Sequence, residues 1–197
     1  MSDSHTTNNI IKPGQGYLDL PVSKFVLWTL PFWKSLNCTP NTLTTLGLIF
    51  SILCIYFLYK RNVILSIIFL LLRLYFDYAD GLYARKYNQT SDFGNFYDSF
   101  VDIFFSLSGL FIIFILKTSK KNEHLKYWYI GVIIFFYFMY LVQMSCAKSS
   151  DNGIKHYIQT FFHNICNNST KPILNLFDNI TLYIVTIIVI VLFCKYK

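Results

Sequence analysis

Ten residues of the 197-residue chain are acidic, and five of them, Asp77, Asp80, Asp92, Asp98 and Asp102, crowd between positions 77 and 102. All but Asp92 sit inside apolar runs with helical pattern. A charged side chain at the centre of a membrane helix costs about 2.5–3.5 kcal/mol on insertion scales, and four together also repel one another. Their spacing shows what would offset this. Asp77 and Asp80 are i,i+3 and share one helix face. Gly94, Asp98 and Asp102 are i, i+4, i+8 and share another. A short connection joins the two segments, so they form antiparallel neighbours, and two carboxylate pairs face each other. Hard divalent cations take oxygen ligands, commonly carboxylates together with substrate phosphates. Four aspartates supply enough charge for two such ions, Mg²⁺ or Mn²⁺. Two ions roughly 3.5–4 Å apart recur where phosphorus undergoes displacement.

The residues around the quartet suit that chemistry. Gly81, Ala84 and Gly94 have almost no side chain and let a bulky planar group approach the backbone. Arg85 can pair with a phosphate or orient a carboxylate. Arg73 lies one turn before Asp77, where it neutralises an aspartate, reaches a phosphate or makes a structural ion pair. The competing reading is a small-xxx-small packing face with the aspartates in a proton path. The fourth and last apolar runs carry almost no polar residue after Gln143, which disfavours such a path.

The elements that must position these residues are membrane helices. The chain is 54% hydrophobic, 19% aromatic and 14% charged, with a mean hydropathy of +0.44. Soluble domains carry about 25% charged residues. A span needs roughly 20 apolar residues, and five segments qualify: about 42–59, 63–86, 93–116, 127–147 and 175–194. The first follows Pro40-Asn41, residues suited to a helix start. Residues 17–38 mix Trp, Phe and Leu with Pro21, Lys24, Pro31 and Lys34, which reads as an amphipathic helix lying on the bilayer. Residues 1–16 read as a flexible polar tail without the apolar centre of a signal peptide. Residues 17–197 read as a single membrane domain, with catalytic helices over about 42–116 and C-terminal helices over about 127–197. The segment 148–174, which holds His156 and His163, reads as an interfacial helix or a sixth, poor span. The fold expected is an all-α integral membrane protein of five to six transmembrane helices with an N-terminal interfacial helix.

The net charge of +7 reads as lysines flanking membrane spans, and no nucleic-acid partner is expected. The basic residues do not settle orientation, because Lys60, Arg61 and the lysines of 117–126 fall on one side and Lys34, Arg85, Lys86, Lys148 and Lys155 on the other. The five cysteines lack metal or CxxC spacing and read as small buried hydrophobes. Asn-x-Thr sequons at Asn37, Asn88, Asn168 and Asn179 are what chance supplies in an Asn-rich chain.

Written out, the central stretch is Asp77-Tyr-Ala-Asp80-Gly81-Leu-Tyr-Ala84-Arg85, eight residues, Gly94, three residues, Asp98, three residues, Asp102. It resembles the signature of the CDP-alcohol phosphatidyltransferases, D-x2-D-G-x2-A-R-x8-G-x3-D-x3-D, at every fixed position. Upstream, Pro40-Asn41-Thr42-Leu43-Thr44 is similar to the P-N-x-[IL]-T that opens the family's first span. The resemblance implies a multi-pass membrane enzyme, commonly a homodimer, with a cytosol-facing polar cavity within the bilayer. It implies a CDP-alcohol donor, a lipid or alcohol acceptor and release of CMP. Asp77, Asp80 and Asp98 would ligate the metals with Asp102 beside them. Asp102 would be the general base, and Gly81, Ala84, Arg85 and Gly94 would line the CDP site. Members that accept a phosphorylated alcohol resemble one another in a basic residue after the last Asp and, often, an Arg shortly after the P-N-x-x-T stretch. Here Ile103 follows Asp102, and Thr45-Leu46-Gly47 follows Thr44. Together with Gly16-Tyr17-Leu18-Asp19, this leans toward the choline and ethanolamine phosphotransferases, which transfer to diacylglycerol. Synthesis of the phosphatidylinositol or phosphatidylglycerophosphate type from CDP-diacylglycerol is the alternative, and a non-catalytic descendant a further one.

Overall fold

A computed structural model describes residues 16–115, 123–145 and 170–195. The described residues are helical throughout, joined by turns and caps: α1 (Asp19–Ser35), α2 (Pro40–Tyr59), α3 (Val63–Lys86), α4 (Asp92–Ile115), α5 (Glu123–Ser145), the single turn α6 (Lys171–Leu174) and α7 (Asn179–Lys195). The all-α membrane architecture expected from the sequence is therefore present. Pro40–Tyr59, Asp92–Ile115 and His124–Gln143 are each long and apolar enough to cross a bilayer, and Asn179–Lys195 is a shorter apolar helix. α3 has 24 residues, ample length at 1.5 Å per residue. Arg73, Asp77, Asp80, Arg85 and Lys86 make its second half too polar for the same class. The tail 1–15, the lysines of 117–121, Cys146, Cys166, His156 and His163 lie outside the described residues.

The chain divides into two compact units. The larger comprises residues 24–130 and 187–197 and contains the helices that carry the aspartates. Their boundaries follow from local chemistry. Thr39 caps α2 by accepting the Thr42 N–H at 3.2 Å, with Pro40 in the first turn, where a missing N–H leaves nothing unpaired. α2 packs on both α3 and α4. Its face of Gly47, Ser51, Cys54 and Leu58 is buried, and at Gly47 a Cβ would sit 3.6 Å from that of Phe76. Below it Phe50, Phe57, Phe69 and Phe76 stack with centroids 5.3–6.1 Å apart. The chain reverses at Arg61, in the left-handed region at φ 57°, and Asn62 caps α3 by accepting the Leu65 N–H at 3.1 Å. Ser91 does the same for α4, its hydroxyl taking the Gly94 N–H at 3.0 Å.

Within this unit α1 continues straight through Pro31, a residue that removes one helical hydrogen bond and orphans the carbonyl four residues back. That carbonyl is Leu27's, and Lys86 Nζ donates to it at 3.3 Å. Thr29 Oγ1 and Trp33 Nε1 also meet the Tyr75 hydroxyl, at 2.6 and 2.7 Å. Residues 24–35 are thus tied along α3, with Phe25, Trp28 and Phe32 facing outward.

The smaller unit joins residues 16–23 to residues 131–186. Asp178 within it is fully buried. The carboxylate accepts the N–H groups of Leu18 (2.7 Å), Asp19 (3.2 Å) and Thr181 (2.9 Å) and the Thr181 hydroxyl (2.8 Å). One side chain thereby caps the starts of α7 and α1, where a negative charge also opposes the helix dipoles. Gly16 is required beside it, because any Cβ there would run into Asp178.

Candidate functional site

α2, α3 and α4 converge on a small open cleft. α3 presents Arg73, Asp77 and Asp80, α4 presents Asp98 and Val101, and α2 presents Thr44 and Gly47. The i,i+3 and i,i+4 spacings place each carboxylate pair on its helix's inner face, as read from the sequence. Carboxylate oxygens of Asp77, Asp98 and Asp102 all lie within 4.8 Å of one another. Three hard oxygen donors at that separation suit a Mg²⁺ or Mn²⁺ ion, which takes a few carboxylates and leaves positions for phosphate oxygens.

Asp80 is held differently. It is buried, and Thr44 Oγ1 donates to its Oδ2 at 2.6 Å. The same hydroxyl lies 3.1 Å from the Pro40 carbonyl. It has one proton, and the shorter, charge-assisted bond to the carboxylate is the stronger of the two. Arg73 is the cation among these acids. Its Nη2 donates to Asp102 Oδ1 at 2.6 Å, and its Nη1 lies 3.9 Å from Asp77 Oδ1. The guanidinium also rests 4.4 Å from the centroid of the Phe105 ring. Arg73's side chain is only 6% exposed, whereas that of Asp102 is 47% exposed and open to a reactant.

The four small or basic residues singled out in the sequence do not line this cleft. Gly81, Ala84 and Arg85 continue α3 beyond Asp80, half-buried. A Cβ at Gly81 would sit 3.4 Å from Arg85 Nη1, so the arginine folds back over the glycine. Gly94 occupies the first turn of α4, one turn before Asp98. A Cβ there would lie 3.0 Å from Ser91 Oγ and 3.2 Å from Asn41 Oδ1, so this glycine lets the starts of α2 and α4 approach closely. Sequence reasoning left Thr44 out of the site, although a threonine on the inner face of an apolar helix needs a buried partner. Arg73 was one of three open readings, and the structure pairs it with two aspartates.

The profile of the CDP-alcohol phosphatidyltransferase family matches residues 37–195. The chain belongs to that family. Among curated relatives it is 40% identical over 77 residues to an archaetidylinositol phosphate synthase of Pyrococcus horikoshii, covering 39% of this chain and 41% of that protein. It is 31% identical over 83 residues to a CDP-diacylglycerol–glycerol-3-phosphate 3-phosphatidyltransferase of Aquifex aeolicus, covering 42% and 47%. It is 34% identical over 68 residues to a CDP-diacylglycerol–serine O-phosphatidyltransferase of Bacillus subtilis, covering 34% and 38%. The chain thus spans less than half the length of the curated relatives it matches.

Proposed function

We propose that the protein transfers a substituted phosphate from a CDP-alcohol to an acceptor hydroxyl, releasing CMP, with divalent metal ions held by Asp77, Asp80, Asp98 and Asp102. The observation that carries this reading is the convergence of three carboxylates within 4.8 Å, with a fourth anchored in the same cleft. Bound there, Mg²⁺ or Mn²⁺, two ions in this reading, would neutralise the phosphoryl oxygens and the departing phosphate. The protein's own groups do the rest. Asp102, whose Oδ1 is engaged by Arg73, offers Oδ2 to the acceptor hydroxyl and takes its proton, a role worth typically 10²–10⁴-fold. The acceptor oxygen forms a bond to the phosphorus bearing the alcohol as the bond to CMP breaks. Gly81, Ala84, Arg85 and Gly94 continue from the cleft toward the α3–α4 turn and are assigned to the cytidine nucleotide.

Two of the relatives are named for CDP-diacylglycerol, and that is the donor proposed. Ile103, Thr45 and Leu46 place no cation at the positions discussed above, which favours an unphosphorylated acceptor alcohol. The same residues support a second reading, transfer from CDP-choline or CDP-ethanolamine to diacylglycerol. The membrane setting proposed is a homodimer of five- to six-span subunits, α1 at the interface and the cleft facing the cytosol. Membranes containing the protein, supplied with Mg²⁺ and labelled CDP-diacylglycerol, CDP-choline or CDP-ethanolamine, decide the matter by CMP release. Release with CDP-diacylglycerol and a free alcohol is expected. Release with CDP-choline or CDP-ethanolamine alone selects the second reading, and release with none marks a non-catalytic member.

A further inference from the structure

We propose that Arg73 is a resident counter-ion that makes loading of the aspartate cleft with divalent ions conditional on the diphosphate donor. The inference rests on the metal-dependent transfer proposed above and deepens it. Arg73 is buried, bonded to Asp102 Oδ1 at 2.6 Å, close to Asp77 and seated on the Phe105 ring. A guanidinium does not give up its proton in a protein, so the cleft carries a permanent positive charge among four carboxylates. The sum is −3. One divalent ion brings it to −1, and a second brings it to +1. The second ion therefore meets a net charge of −1 where the first met −3, and is held much more weakly, in a site where charges a few ångströms apart are poorly screened. A diphosphate supplies the missing negative charge and opens ion positions through its own oxygens. Arg73 also occupies one of the oxygens that an ion would use on Asp102. Donor and second ion then bind as a linked pair, each raising the other's affinity by the same factor. The arrangement keeps the site from filling with metal when no donor is present.

The test measures Mn²⁺ bound to the purified full chain in nanodiscs, with and without CDP, correcting for Mn²⁺ bound to free nucleotide. Wild-type protein is expected to bind its second Mn²⁺ about tenfold or more tightly in the presence of CDP. Arg73→Gln is expected to bind Mn²⁺ about tenfold more tightly than wild type without nucleotide, and to lose most of the CDP effect. Arg73→Lys keeps the charge and is expected to keep the coupling. Unchanged or weaker Mn²⁺ binding by Arg73→Gln, with wild-type binding intact, overturns the inference and leaves Arg73 as a structural ion-pair partner. If Arg73→Gln does not fold, a CDP effect on wild type below about threefold overturns it equally. Wild-type protein that binds no Mn²⁺ with or without CDP overturns the metal-dependent reading itself.

Discussion

Thr44→Val tests whether the cleft works through a pre-positioned Asp80. The substitution preserves shape and removes a hydroxyl that donates to a buried carboxylate at 2.6 Å. The Pro40 carbonyl is not orphaned by it, because the backbone N–H of residue 44 serves that carbonyl in the helix. Asp80 alone loses a partner. A hydrogen bond to a charged group contributes about 1.5–3 kcal/mol, equivalent to roughly 10- to 150-fold in an equilibrium constant. If Asp80 ligates metal, that loss divides between a less stable apo protein and a ligand no longer held in place. The Mg²⁺ concentration giving half-maximal CMP release should rise roughly tenfold or more, with a smaller change in the rate at saturating Mg²⁺. Thr44→Ser keeps the hydroxyl and should stay near wild type. A Thr44→Val protein that folds and shows the wild-type Mg²⁺ dependence would refute the assignment of Asp80 to the metal and the role of Thr44 beside it.

Asp102→Asn should abolish CMP release while preserving folding, because the amide keeps the size of the side chain and loses its basicity; wild-type turnover would remove Asp102 from the role of base. Asp178→Ala withdraws the acceptor shared by four donors, so the melting temperature should fall by an amount matching a loss of about 2–4 kcal/mol, with the Mg²⁺ dependence of any remaining activity unmoved. Lys86→Met should destabilise by about 1 kcal/mol by orphaning the Leu27 carbonyl. Pro31→Ala restores the helical N–H to that carbonyl, so the double variant should recover most of the loss in chemical denaturation; additive losses would show that Lys86 acts elsewhere.

The parts of the site that were legible in the sequence are those set by spacing within one helix. Asp77 with Asp80, and Asp98 with Asp102, share a face because 3.6 residues make a turn, and no tertiary information is needed to see it. That the two faces meet followed from the short connection between α3 and α4 and from the need of buried carboxylates for company. The pairings that escaped are those between helices distant in sequence. Thr44 and Asp80 are 36 residues apart and meet only because Gly47 and Ser51 let α2 lie close on α3. Asp178 and Leu18 are 160 residues apart, and no local spacing marks Asp178 as a cap shared by two helices. Spacing likewise gave α1 its length but not its tolerance of Pro31, which depends on a lysine 59 residues beyond the carbonyl it rescues.

The same division explains the form of the site. A membrane helix satisfies its own backbone, so a polar centre inside it has only side chains to work with. Thr44 fixes one aspartate by a hydrogen bond, and Arg73 fixes another by charge. Neither device excludes metal, but they act oppositely on it. The hydroxyl of Thr44 is neutral and leaves the full attraction of Asp80 available to a cation. The guanidinium of Arg73 orients Asp102 and at the same time offsets part of the cleft's charge. On the proposed reading, a site built from both would hold its ligands in place without filling permanently with the ions they attract. Replacing the neutral anchor should therefore weaken metal binding, and replacing the charged one should strengthen it, although each removes one hydrogen bond to one aspartate.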